Sequence, residues 1–263
     1  MCMVTSPRPL CVLAALCCVA GLAAAAVGQT TGATIILDRT SPWRMHHELR
    51  PPVVGAPGAL TPAAMPQPWM NLATAPPEGD WTRGDYDDGD WFGGPADRSC
   101  RTSSLARLRL RGRFTVTDLK AAGALRLTLA YHGGAIVHLN GRPIAHGHVA
   151  DAVQGIAEAY PPEAFVTDAG EPLAWGAYDM ERGRPSEPPS AEAKERMKLH
   201  RRQIADLTLP RELLREGPNV LAIELLRAPY DPVLPAGRGS FPYELVWDTC
   251  TLLDVALTAE GGA

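Results

Sequence analysis

Residues 135–145 read AIVHLNGRPIA, and this stretch decides how the chain folds. Asn140 and Gly141 are a strong signal for a β-hairpin with a two-residue loop, because both central positions of a type I′ turn need a positive φ. Such a loop predicts three facing pairs: Leu139 with Arg142, His138 with Pro143, and Val137 with Ile144. Asn140 is then a turn residue rather than a catalytic one, and His138 points away from the core face. The stretch therefore predicts antiparallel β-structure and gives little support to catalysis.

Strand patterns surround this hairpin. LARLRLRGRFTV (105–116) and ALRLTLAY (124–131) alternate apolar and polar residues with the period of two expected of a sheet with one buried face. GPNVLAIELL (217–226) and residues 243–259 add further apolar strands. Many short strands separated by Gly and Pro turns, without alternating helices, predict an all-β fold: an antiparallel β-sandwich.

The N-terminal residues predict a secretory signal peptide. One arginine, Arg8, precedes an uncharged apolar run over 10–26 that ends in small residues. The run is short for a membrane span and its end suits cleavage. We expect residues 1–28 to be removed, which leaves no membrane span and a chain that is secreted, periplasmic or in the cell envelope. A retained N-terminal anchor is the alternative.

The next segment, 29–68, is predicted to be an extended, proline-rich arm. Proline sustains neither a helix interior nor a central strand. Only the short apolar run at 33–37 suits a strand.

The charge and the cysteines limit the partners and the redox chemistry. The chain carries 25 Lys and Arg against 29 Asp and Glu, and no basic run, so we expect no nucleic-acid partner. Cys100 and Cys250 are the two of six cysteines that lie outside the signal sequence. In an exported chain they are candidates for a disulfide, which would stabilise the fold by about 5 kcal/mol in the chain-entropy model. Two separate buried thiols are the alternative.

Residues 149–203 interrupt the strand pattern. An excursion of this length exceeds an ordinary connection and predicts a functional or packing insert. SAEAKERMKLHRRQI (190–204) predicts a helix that Ser190 caps at its N-terminus. Its apolar stripe is thin and suits docking on the sandwich; the stripe consists of Ala193, Met197 and Ile204.

Three groups of polar residues resemble metal-ligand patterns. His146 and His148 share a strand face and suit zinc or copper, with Asp151 as a third ligand, although a solvent-exposed strand end explains them as well. His46 and His47 lack the helical spacing of a zinc pair. DYDDGD concentrates the carboxylates that calcium prefers, but without the helix-loop-helix pattern; they are Asp85, Asp87, Asp88 and Asp90. We predict no metal and no cofactor, with a structural calcium at this turn as the alternative.

No motif identifies a catalytic residue. The chain has no Gly-x-Ser-x-Gly elbow and no phosphate loop. Acid pairs exist in the insert, for example Glu158 with Glu163 and Asp168 with Glu171, but their spacing favours none of them. The sequence therefore predicts no catalytic residue.

Four stretches occur in an order that resembles a known family: WTRGDYDDGDW (81–91), LRGRFTV (110–116), ALRLTLAYHGGAIVHLNGRPIA (124–145) and LPRELLREGPNVLAIEL (209–225). The order is similar to that of the galactose-binding-like jelly roll, and in particular to the N-terminal sugar-binding domain of family 2 glycoside hydrolases and β-galactosidases. The matching residues are Tyr86, Asp87, Asp88, Trp91, Phe114, Val137 to Gly141, Gly217, Asn219 and Val220 to Glu224.

The resemblance implies a jelly-roll β-sandwich over 69–258 that contains the insert and is followed by a tail at 259–263. It also implies an exported, non-catalytic module for carbohydrate binding or accessory support, since the hydrolases carry their catalytic acids in a separate domain. Sugar sites place aromatic faces beside polar groups, and the insert offers Trp175, Tyr178, Arg182 and Tyr160. A structural or protein-interaction module is the alternative, and a glycoside hydrolase with an unrecognised site is the third hypothesis.

Overall fold

Two antiparallel β-sheets form the body of the protein. This computed structural model describes residues 33–63, 71–170, 191–234 and 248–260, all within one compact unit, Thr31–Ala263. The predicted all-β class and antiparallel sandwich are confirmed.

Strands are numbered in chain order. The four-stranded sheet has the order β1 (Thr34–Asp38), β14 (Thr251–Ala259), β7 (Leu125–His132), β12 (Arg202–Thr208). The six-stranded sheet has the order β5 (Phe92–Gly94), β2 (Trp43–Leu49), β6 (Leu105–Val116), β13 (Gly217–Leu226), β8 (Gly134–Leu139), β9 (Arg142–Gly147). Two small hairpins pair β3 (Val53–Val54) with β4 (Thr61–Pro62), and β10 (Val149–Asp151) with β11 (Ile156–Ala157). The α-helix of the described residues is α1 (Ala191–Lys198).

The main core lies between the two sheets. Leu108 and Leu110 of β6 and Leu127 and Leu129 of β7 are fully buried in one cluster. Each such side chain contributes about 2 kcal/mol through the apolar area that it removes from water. The alternation of residues in these strands therefore sets which face of each sheet is buried.

The hairpin predicted for residues 135–145 consists of β8 and β9, and its turn is as predicted. Asn140 has a φ of 52° and Gly141 a φ of 88°, and Leu139 faces Arg142. The third predicted pair is wrong, because the register shifts by one residue and Val137 faces Ala145. A bulge of this kind adds one residue to one strand of a pair.

The turn residue Asn140 also links two strands. Its Nδ2 donates to the carbonyl of Leu213 and to Oδ1 of Asn219, both at 2.8 Å, and its Oδ1 accepts from the N–H of Val220 at 2.9 Å. Asn219 is fully buried, and its Nδ2 donates to the carbonyls of Arg215 and Gly217. The hairpin and β13, two of the four stretches that carry the resemblance, are therefore joined by paired amides.

Replacing Asn219 by alanine is expected to lower the free energy of unfolding by about 3 kcal/mol, because buried backbone groups are left without partners. Urea unfolding at neutral pH measures this. Asn219→Asp has the same shape and keeps the acceptors but loses the amide donors, so it should also destabilise the chain. A loss below about 0.5 kcal/mol for the alanine variant, which is usual for surface positions, would contradict the assignment.

The sandwich begins earlier than the predicted boundary at residue 69. β1 pairs with β14, and β2 pairs with both β5 and β6, so residues 34–49 belong to the sheets rather than to an extended arm. Trp43 and Met45 point into the core and alternate with Arg44 and His46 on the outer face. More than half of the residues of β2 are polar, so its alternation with a period of two was not recognised in the sequence.

The predicted helix over 190–204 is shorter at its C-terminal end, and the placement of Ile204 in its apolar stripe is wrong. The helix α1 ends at Lys198, and Ile204 lies in β12, where it faces Leu129 of β7. Ala193 and Met197 pack with a second apolar cluster, as predicted for the helix. The proposed cap, Ser190, lies outside the described residues.

The predicted disulfide between Cys100 and Cys250 is not present. Cys250 is buried between the sheets, where its Sγ lies 3.6 Å from the carbonyl oxygen of Leu225, whereas Cys100 is exposed. Burial raises the pKa of Cys250, so it is a protonated core thiol. One side chain is therefore exposed and the other is buried, and their spacing in the sequence does not reveal this difference.

Candidate functional site

The outer face of the six-stranded sheet carries a dense group of charged side chains. We call Glu48, Arg107, Arg109, Arg111 and Glu224 the charged face. The register places His46, Arg109 and Glu224 in one row across β2, β6 and β13. The period of two in β6 sends its arginines outward while its leucines fill the core.

Four members of the charged face form an ion-pair network. Nη1 of Arg109 lies 2.9 Å from Glu48, and its Nε lies 3.0 Å from Glu224. Arg107 reaches Glu224 at 3.2 Å and Glu48 at 3.9 Å. Each carboxylate contacts both arginines, and Glu48 also contacts Arg50, outside the charged face, at 3.3 Å.

Residues 80–91, which we call the strap, cover one end of the charged face. Nε of Arg111 donates to Asp88 at 2.7 Å, and its Nη1 donates to the carbonyls of Trp81 and Arg83. Arg113 reaches the same carboxylate at 3.0 Å. Burial raises the pKa of Asp88, but the hydrogen bonds from both arginines outweigh it and hold the pKa below 3.8. The strap is therefore fastened by an ionised carboxylate.

Aromatic rings of the strap pack over the same residues. The guanidinium carbon of Arg109 lies 5.8 Å from the ring centroid of Trp81, and that of Arg111 lies 5.3 Å from Tyr86. Trp91 contacts both of these rings, with centroids 6.0 Å from Trp81 and 5.7 Å from Tyr86. Cation–π contacts of this kind contribute about 0.5–2 kcal/mol each.

The buried arginines of the charged face are paired with carboxylates of the same face and of the strap. Arg107, Arg109 and Arg111 match three carboxylates, those of Glu48, Glu224 and Asp88. A general acid needs a carboxyl whose pKa is raised towards neutrality. Asp88 has a lowered pKa, so this carboxylate suits structural support better than proton transfer.

The Asp-rich turn forms ion pairs and turn hydrogen bonds. Asp85 pairs with Arg83 at 3.0 Å, and Asp87 accepts the N–H of Gly89 at 3.0 Å. Within the described ranges no group of three or more His, Cys, Asp or Glu side chains is placed to hold a metal ion.

The predicted strand-end histidines do not converge either. His148 holds Tyr131 through a 3.0 Å contact between Nδ1 and the phenol oxygen, and His146 is exposed. His148 has a φ of 55°, which bends the chain between β9 and β10.

The predicted ligand residues fall into two groups. Trp175, Tyr178 and Arg182 lie outside the described residues. Tyr160 is only 4% exposed, so it does not offer the open aromatic face that a sugar needs. Its hydroxyl accepts from the N–H of Gly133 at 2.6 Å and donates to the carbonyl of His200 at 2.9 Å. Its prediction as a binding residue is corrected: Tyr160 joins the insert to the sandwich.

Arg202 completes the junction around Tyr160. Its guanidinium carbon lies 4.1 Å from the centroid of the Tyr160 ring, and it donates to the carbonyls of Gly133, Glu158 and Ala159. Burial raises the pKa of Tyr160, so its hydroxyl stays protonated. This part of the insert is therefore packed and hydrogen-bonded.

The two described ends that flank residues 171–190 are tied together. The N–H of Asp168 donates to Glu192 at 2.7 Å, and the carboxylate of Asp168 contacts Arg196. Phe165 and Ala193 pack in the same apolar cluster beneath them. The described residues on either side of 171–190 are therefore in contact with one another.

We did not predict the charged face from the sequence, although the sequence contains a pattern that indicates it. Four arginines alternate along 105–116, and alternating like charges on a strand need carboxylates opposite them. The partners Glu48 and Glu224 lie far away in the sequence, so the spacing gave no indication of them. The strap residue Asp88 was recognised as part of a family motif, but its partner arginines were not.

No family model matches the sequence, and no curated protein matches it. Among solved structures, the chain is similar to a β-glucuronidase from Bacteroides uniformis, with 11% identity, 87% of this chain and 18% of that chain covered, and a TM-score of 0.40. It is also similar to a glycosyl hydrolase family 2 member from Bacteroides cellulosilyticus (9%, 85% and 20%, TM-score 0.37) and to a β-glucuronidase from an uncultured Clostridium species (12%, 87% and 29%, TM-score 0.39).

The chain spans less than a third of the length of each of these enzymes, and similarity at this level says nothing about its activity. No helix in the described part of the chain is long and apolar enough to cross a membrane.

Proposed function

We propose that this chain is an exported, non-catalytic β-sandwich module that binds carbohydrate, of the accessory kind found in glycoside hydrolases. Its proposed location is outside the cytoplasm: secreted, periplasmic or in the cell envelope. The proposed ligand-binding residues are Trp175, Tyr178 and Arg182. Two aromatic rings beside a guanidinium are a combination that suits sugar recognition, since the rings stack and the polar group fixes orientation.

The main support for the proposal is that the described ends of the insert, on either side of 171–190, are hydrogen-bonded to each other. Asp168 holds both Glu192 and Arg196, and Tyr160 fixes the preceding residues to Gly133 and to His200. A binding segment needs a rigid base so that its side chains need little ordering when the ligand arrives. The contacts between the described ends of the insert support the proposal in this way.

Trp175→Ala and Tyr178→Ala are each expected to weaken glycan binding at least about ten-fold, since truncating a central aromatic residue typically costs 2 kcal/mol or more. Isothermal titration with a glycan that the wild-type chain selects on an array measures this. Phe92→Ala is the matched control: it removes an exposed aromatic ring of β5, outside the insert, so it should leave the affinity unchanged. Full affinity in both alanine variants would overturn the assignment of these residues.

A structural or protein-interaction module is the second candidate. The charged face favours it, because its arginines and carboxylates neutralise one another and Trp81 and Asp88 cover one end. Failure to bind any glycan, together with a stable complex with one protein, would support this second function. Turnover of a glycoside by the purified chain would instead support the third hypothesis, a glycoside hydrolase.

A further inference from the structure

The strap lies on two histidines of the six-stranded sheet. The ring of Trp91 has its centroid 5.2 Å from that of His46, and the ring of Trp81 lies 6.0 Å from that of His138. The Nδ1 atoms of both histidines are buried and have no hydrogen-bond partner among the described residues. Neutral imidazoles tolerate this environment, whereas an imidazolium would bury an N–H donor without an acceptor.

The charges around the two histidines come from the sheet and from the strap. His46 faces Arg109 of β6, with the carboxylates of Glu48 in β2 and Asp90 in the strap nearby. Burial is the largest influence on its pKa and lowers it, Arg109 lowers it further, and the two carboxylates only partly oppose this.

His138 lies beneath the other end of the strap. Burial is again the largest influence and lowers its pKa, while Glu224 of β13 and Asp80 of the strap oppose the shift without cancelling it. Both histidines therefore hold a proton less readily beneath the strap than in water.

We propose that the strap is an acid-released cover, which loosens from the charged face when His46 and His138 take up protons. Once the strap lifts, both imidazoles contact water and bind protons more readily. By linkage, acid then favours the lifted form. Asp88 keeps its charge in the same range because its pKa lies below 3.8, so the Asp88–Arg111 pair does not itself respond between neutral pH and about pH 5.

Lifting the strap would change which side chains of the six-stranded sheet are exposed to solvent. Arg111 has three of its partners in the strap: the carboxylate of Asp88 and the carbonyls of Trp81 and Arg83. Trp81 also covers Arg109. Lifting the strap therefore exposes guanidinium groups that are sealed at neutral pH. This proposal is independent of glycan binding by the insert.

Hydrogen exchange of the intact chain at about pH 7.5 and about pH 5, corrected for intrinsic exchange, tests the proposal. We expect the protection of the Gly89 and Trp91 amides to fall by at least about five-fold in the wild-type chain, because linkage to two histidines whose pKa is lowered beneath the strap favours the lifted form in acid. The double variant H46Q/H138Q should lose this response. H146Q is the matched control, because His146 is exposed and far from the strap in sequence, and it should respond like the wild-type chain.

Two results would overturn the proposal: an unchanged strap at about pH 5, or a response that persists in the double variant. If the double variant does not fold, NMR titration of the wild-type imidazoles decides. Values for both His46 and His138 at or above the ordinary value of about 6.5 would contradict the acid-released cover, and lower values would support it.

Discussion

Replacing Arg111 by methionine is expected to lower the free energy of unfolding by about 4 kcal/mol, because it leaves a buried carboxylate without its main partner. The side chain of Arg111 is completely buried, and its Nε lies 2.7 Å from Asp88. The same change removes the donor to the carbonyls of Trp81 and Arg83. Urea unfolding at neutral pH, with a check that the slope is unchanged, measures the loss.

Arg113→Met is the matched control for this effect. Arg113 contacts the same carboxylate, but its side chain is 46% exposed, so its loss should cost less than about 1 kcal/mol. The double variant R111M/D88L should be more stable than R111M alone, because no buried charge is then left unpaired. Equal losses for R111M and R113M would show that burial of the ion pair does not determine its contribution.

Acid is expected to destabilise the whole chain through His200. This side chain is buried beside Tyr160 and Phe165, with ring centroids 4.6 and 5.0 Å away. Burial lowers the pKa of His200 to about 3, and the neighbouring positive charge of His132 and Arg202 adds to the shift. Between about pH 6.5 and that value, the unfolded chain binds a proton that the folded chain does not.

The stability that His200 contributes is therefore complete above about pH 6.5 and is lost as the pH falls, by up to about 1.4 kcal/mol per pH unit. We expect a loss of up to about 3 kcal/mol between pH 6.5 and about pH 4, measured by urea unfolding at several pH values. Burial also raises the pKa of Asp248, and this contribution to the free energy of unfolding grows as the pH falls, opposite to that of His200. The test is therefore the difference between the pH profiles of the wild-type chain and its variants. The His200→Gln variant should lose less unfolding free energy than the wild-type chain as the pH falls, whereas His146→Gln should lose as much. Parallel pH profiles for all three chains would contradict this prediction.

Much of the fold could be predicted because its strands repeat a simple pattern. The alternation in 105–116 placed its leucines inward, and Asn140 with Gly141 fixed the hairpin turn. The bulge that pairs Val137 with Ala145 could not be predicted, because a register shift depends on neighbouring strands. β2 was missed because Arg44, His46 and Glu48 make its outer face as polar as a loop.

Less of the candidate site could be predicted, since it depends on contacts between distant segments. Asp88 was read as a possible calcium ligand, and its real partners, Arg111 and Arg113, come from a strand about 25 residues later. Tyr160 was grouped with the insert aromatics by its position in the sequence, and only its burial against His200 shows that it packs. The roles of Trp175, Tyr178 and Arg182 stay predictions.

Glycan binding by the intact chain is the most direct test of the proposed function. The wild-type chain and the W175A/Y178A variant would be compared on one glycan array, with glycoside hydrolysis assayed on the same preparations. We expect selective binding of at least one glycan by the wild-type chain, loss of that binding in the variant and no turnover. Equal binding by both chains, no binding by the wild-type chain, or hydrolysis of a glycoside would contradict it.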